Sequence, residues 1–141
     1  MGYSEGMTPQ RHQVVRWRPP HGEDAAVAAD ARAWARRALP GLLAEPARTN
    51  LEDDVELLVS ELAANAVLHA GGLGHVELHC TGSELRIVVH DEAQALPVPS
   101  PSVAPDIDHG RGMLLVELLA TRWGVRPHPG RGKDVWLDLP L

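Results

Sequence analysis

The chain has 141 residues, 44% of them hydrophobic, and a formal net charge of −6. That length suits one compact domain with a real core, and the acidic balance excludes the broad basic footprint of a general nucleic-acid binder. No apolar run approaches the roughly 18 residues of a membrane span, Met1 to Arg18 lacks the apolar centre of a signal peptide, and the lone Cys80 excludes an internal disulfide, so a cytoplasmic protein is expected.

Residues 1–12 read as a disordered tail and 13–141 as one domain. Gln13 to Arg18 has the β-branched and aromatic content of a short strand, closed by Pro19-Pro20. Glu23 to Leu39 reads as a helix in which Val27, Ala31, Trp34 and Ala38 share a face, Trp34 anchoring it to a sheet, with Pro40-Gly41 as its stop. Thr49 and Glu52 have the spacing of a capping box at the start of the next helix, and Asp53 and Asp54 suit its first turn. This helix is expected to run to about His69 and end before Gly71-Gly72. Leu58, Leu62 and Ala66 form its apolar stripe, and four-residue spacing sets Glu61, Asn65 and His69 in line beside it.

The period then changes from helical to two. Val76, Leu78 and Cys80 alternate with Glu77 and His79, Thr81-Gly82-Ser83 makes a turn, and Leu85, Ile87 and Val89 point the same way in the following strand. Asp91 continues their inward parity, and a carboxylate there needs a partner. Four prolines between Ala95 and Asp108 forbid regular structure, which marks a long functional loop. It ends at Gly110-Arg111-Gly112, with a helix expected from Met113. Trp123 to Arg126 and a last strand with Val135, Leu137 and Leu139 facing one way flank the turn Pro129 to Gly132. Trp123 and Trp136 are expected in the packing and Lys133, the only lysine, as a turn charge.

Three parts therefore carry chemistry. Glu61 can serve as a base and Asn65 can offer oxygen to a hard cation. Asp91 can accept a hydrogen bond from an exocyclic amine. Glycines at 110 and 112 allow close backbone approach, and the free N–H groups of a helix start attract anions. In order and spacing these parts resemble the GHKL ATP-binding superfamily of the histidine kinases, and within it the single-domain anti-sigma-factor serine/threonine kinases. The matching segments are Glu61 to Ala70, His109 to Val116 with Trp123-Gly124, and Gly132 to Trp136. The resemblance implies an α+β fold, a two-layer sandwich of the Bergerat type whose mixed, mostly antiparallel sheet has helices on one face and ATP under a lid. It implies Mg²⁺ on Asn65, Glu61 as the base or water-positioning residue, adenine on Asp91, and phosphates flanked by Gly110 and Gly112; Arg111 reads equally as a phosphate contact or a solvated lid residue. It also implies a sigma factor or an anti-anti-sigma-like protein as partner, and pairing as a homodimer.

Two positions depart from the family pattern. Ala93 and Ala95 replace the glycines of an Asp-x-Gly-x-Gly box, each at a cost on the order of 1 kcal/mol if positive φ is needed. Asp134 stands where a Thr assists adenine binding. The alternative is a non-catalytic partner-binding module with a degenerate nucleotide site. A metal enzyme is a third reading, but His69, His75, His79, His90 and His109 lack compact metal-ligand spacing, and His79 and His90 are expected on the outer sheet face.

Overall fold

The computed structural model describes residues 12–92 and 107–141, with side chains from residue 113 in the second span. In chain order the elements are β1 (Gln13–Trp17), α1 (Val27–Leu42), α2 (Ala47–His69), β2 (Leu73–Cys80), β3 (Glu84–Asp91), α3 (Ile107–Leu119), β4 (Arg122–Pro127) and β5 (Lys133–Pro140). Among the described residues the strands form one sheet, order β1-β2-β3-β5-β4, in which every pairing is antiparallel rather than mixed. This is an α+β fold with the helices packed on one sheet face.

The core is the meeting of two periodicities. Val76, Leu78, Leu85, Ile87, Val89, Leu137 and Leu139 alternate inward from the strands. They meet Val55, Leu58, Val59 and Leu62 of α2, Ala31, Ala35 and Leu39 of α1, and Val116 of α3. Each fully buried Leu, Ile or Val contributes about 1.5–3 kcal/mol relative to exposure. Trp34 anchors α1 by stacking on Trp17 of β1, ring centroids 6.1 Å apart and planes 19° off parallel.

Four helix ends differ from the sequence reading, and the first is the start of α1 at Val27 rather than at Glu23. α1 passes through Pro40 and Gly41 to Leu42. Near a C-terminus a proline removes only one ladder bond, and Leu43 N–H still closes the turn on the Leu39 carbonyl at 2.9 Å. α2 begins at Ala47 rather than at Thr49. There the Glu45 carboxylate, not Thr49, does the capping: it accepts the Thr49 N–H at 2.8 Å and its hydroxyl at 2.7 Å. α3 starts at Ile107, six residues before Met113, so Gly110 and Gly112 lie within its first two turns. Two glycines weaken a helix by about 1 kcal/mol each, and cooperative propagation from the apolar segment that follows outweighs that.

Glu56, 1% exposed, is a link between helices that periodicity did not reveal. It accepts from Arg32 Nε at 3.3 Å, Arg36 Nε at 3.1 Å and Arg36 Nη2 at 2.7 Å. The opposite sheet face carries no helix among the described residues and is polar. Arg86 makes a two-pronged contact to Asp138 at 2.7 and 3.0 Å and lies 4.2 Å over the Trp136 ring. Trp136, expected in the packing, thus belongs to this outer face, where cross-strand Gly124 makes room for it: a Cβ there would come within 2.9 Å of the indole.

The Arg36 hydrogen bond to Glu56, and that of Arg86 to Asp138, hold both carboxyls below their ordinary values of 4.5 and 3.8. Folded, they bind fewer protons than unfolded, so their stabilisation is complete above those ordinary values and is lost as pH falls through the lower folded ones. Glu56→Gln should lower stability by about 1–2 kcal/mol at neutral pH. It should also flatten the loss below pH 4.5, as read by urea midpoints across an acid series.

Candidate functional site

The strand pairing β3–β5 sets Asp91 opposite Lys133 and His90 opposite Asp134. Successive side chains point to opposite faces of a sheet, so this register sends one polar pair toward the helices and the next away from them. Asp91, 3% exposed, lies on the helix side and is ion-paired with the Lys133 ammonium. A carboxylate so buried is tolerable only with such a partner.

Gly132 makes the contact geometrically available. Its φ is +86°, and a Cβ on it would lie 1.9 Å from the Asp91 carbonyl oxygen. The turn backbone therefore rests directly against the β3 end. On the other side, the exit from α2 is tied to the same strand end: Gly72 N–H donates to the Ala66 carbonyl at 2.9 Å, and Glu92 N–H to the Gly72 carbonyl at 3.0 Å.

These constraints bring α2 and the strand ends around one cavity of 50 Å³. Its apolar wall is Leu62, Ala66, Ala70, Val89, Met113 and Val135, and its polar groups come from Asn65, His69, Asp91 and Lys133. Asn65 and Asp91, far apart in the chain, thus share a single space.

Glu61, one turn before Asn65, is half-buried and outside that lining. The backbone of Gly110, Arg111 and Gly112 lies in α3, and the helix start expected to be formed by these glycines belongs instead to Ile107. Ala93 and Ala95 fall outside the described residues.

Asp134 does not reach this cavity. Its carboxylate is on the other sheet face, 2.7 Å from His90 Nδ1 and 2.9 Å from His128 Nε2. Burial pushes its pKa up, but the two histidine hydrogen bonds outweigh that and hold it below the ordinary carboxylate range. It therefore neither repels Asp91 nor stands in for a Thr beside a ligand in the cavity. Lys133, expected to be a turn charge, is the residue that faces the cavity. The signal was present in the alternation: Lys133 shares the parity of Val135, Leu137 and Leu139, and Asp134 does not.

The profile of the family described as "Histidine kinase-like ATPase domain" matches residues 22–139. No curated protein matches the chain.

Gly132→Ala should lower stability by about 1–3 kcal/mol, because an L residue is strained at that φ and its Cβ would collide with the Asp91 backbone. Urea denaturation measures this, and an unchanged midpoint would mean that the turn does not hold the strand end in place.

Proposed function

The chain belongs to the histidine kinase-like ATPase domain family, and from that premise we propose that it is a Mg-ATP-binding regulator of the anti-sigma-factor serine/threonine kinase type. The observation that carries this reading is the convergence of Asn65 and Asp91 on one cavity between helix and sheet. The residue chemistry suits the nucleotide. The Asn65 amide oxygen is a hard donor for Mg²⁺, and the buried Asp91 carboxylate can accept the adenine amine. In α3, the N–H groups without intrahelical partners are those at the Ile107 end, a polarity that favours phosphate.

Size constrains the binding step. Ligand pockets are typically about 300–1,000 Å³, well above the 50 Å³ here. Lys133 is paired with the very carboxylate that would receive adenine. Binding on this reading requires Lys133 to swing out, so nucleotide and lysine compete for Asp91.

As a kinase, the protein transfers the γ-phosphoryl group of ATP to a Ser or Thr hydroxyl of a protein partner. The bond from γ-phosphorus to the ADP oxygen breaks, a new bond forms to the hydroxyl oxygen, and Glu61 takes the hydroxyl proton. The partner class is a sigma factor or an anti-anti-sigma-like antagonist, met by a homodimer of the chain. A second reading is favoured by the Lys133–Asp91 pair together with Ala93 and Ala95: a non-catalytic module that holds its partner without nucleotide.

Calorimetry with ATP, with and without Mg²⁺, separates the two. On the kinase reading Asp91→Asn lowers ATP affinity at least tenfold, and Asn65→Ala removes the Mg²⁺-dependent part of binding with folding intact. Glu61→Ala lowers turnover more than affinity, and glycine at 93 and 95 tightens binding. The wild-type protein at 100 times the dissociation constant should gain about 2.7 kcal/mol of stability. No thermal shift at millimolar Mg-ATP selects the non-catalytic module.

A further inference from the structure

On the face opposite the cavity, β2, β3 and β5 bring His75, His90 and Asp134 together. One ligand atom from each lies within 4.8 Å of the others, and all three side chains are half-buried. The His75 and His90 rings stack, centroids 4.8 Å apart and planes 10° off parallel, and His128 joins from the β4–β5 turn through the second Asp134 oxygen at 2.9 Å. We propose that this cluster is a Zn²⁺ site, with His75, His90 and Asp134 as its protein ligands and His128 or water completing it.

The polar accounting around His75 carries the proposal furthest. Its Nε2 lies 3.2 Å from Glu77 Oε2. Glu77 is itself fixed by Arg16 at 2.5 Å and His79 at 2.6 Å, and is 8% exposed. A carboxylate at that distance favours the tautomer that keeps the proton on Nε2 and the lone pair on Nδ1. That Nδ1 is buried and has no hydrogen-bond partner. Buried polar atoms are rarely left so. A carboxylate beside one ring nitrogen, with the lone pair of the other unused, is the arrangement that holds a metal-ligating histidine in zinc sites.

The rest of the donor set fits the ion. Imidazole nitrogen and carboxylate oxygen suit Zn²⁺. Asp134 offsets one positive charge and Glu77 stands behind. Donors at about 2.0–2.1 Å from one tetrahedral ion lie roughly 3.3 Å apart, so closure needs a side-chain rotation of His75, for which no described helix stands in the way. On binding, the hydrogen bond between His90 Nδ1 and Asp134 Oδ1 breaks, the imidazole keeps one proton by moving it to Nε2 through exchange with water, and bonds from the ion to Nδ1 and to the carboxylate oxygen replace the lost contact. The site shares no residue with the nucleotide cavity and does not depend on it.

Zinc titration of the chelator-stripped full chain by calorimetry tests this. One ion per chain is expected. His75→Ala and His90→Ala should each lower affinity at least tenfold, Glu77→Gln should lower it about 10- to 100-fold, and His12→Ala, altering the other histidine pair on this face, should leave it unchanged. Cobalt gives a second readout that requires no variant: the wild-type protein should show the visible absorption of four-coordinate Co²⁺, abolished by adding zinc. No zinc binding in a micromolar titration, a cobalt spectrum no different from the aqueous ion, or affinity lost only in His12→Ala would overturn the assignment.

Discussion

The cross-strand contact between Asp91 and Lys133 is the interaction on which the candidate site depends. A carboxylate at the buried end of β3 costs several kcal/mol unless a cation stands beside it. The antiparallel register supplies one from the residue directly opposite on β5. Gly132 lets the preceding turn lie against the Asp91 backbone, and the loop after α2 is hydrogen-bonded to the neighbouring residue, Glu92. Helix end, turn and strand end are thereby fixed around one small space, with Asn65 projecting from the helix side.

The same two-residue period divides the chain's polar residues between two unrelated environments. One residue along from Asp91 and Lys133, His90 and Asp134 face away from the helices and join His75, Glu77 and His128. A register slip of one residue would exchange the two sets. The apolar residues flanking them, Val89 and Val135, hold the register because a slip would expose them as well. Burial and then the charge of neighbouring His90 lower the pKa of His75, so its ring stays neutral to lower pH than an exposed histidine.

Much of this was legible in the sequence, and the reason is periodicity. The long α2, the first hairpin and the inward parity of Asp91 follow from clear runs of spacing 3.6 or 2. Most helix ends were not legible, although the stop of α2 at His69, before Gly71-Gly72, was. Pro40-Gly41 and Thr49 carry the residue types of a stop and a cap, yet tertiary packing carried α1 beyond the first, and Glu45 supplied the cap in place of the second. Glu56 looked like an ordinary helix acid, and only the placement of α1 shows that two arginines bury it. Asp134 teaches the opposite lesson: alternation along β5 already sent it outward, and analogy with the family pattern drew it into the site. The histidine cluster was hidden because its members come from three strands, a proximity that no local spacing encodes.

On the proposed function, ligand chemistry on the helix side of the sheet is performed around Asn65 and Asp91. Amide chemical-shift mapping of the full chain during titration with Mg²⁺ and a non-hydrolysable ATP analogue tests it most directly. Shifts are expected on Leu62 to Ala70, on Val89 to Asp91, and on Lys133, whose amide should report release from Asp91. A map confined to His75, His90 and His128, or no saturable shift at all, would contradict it.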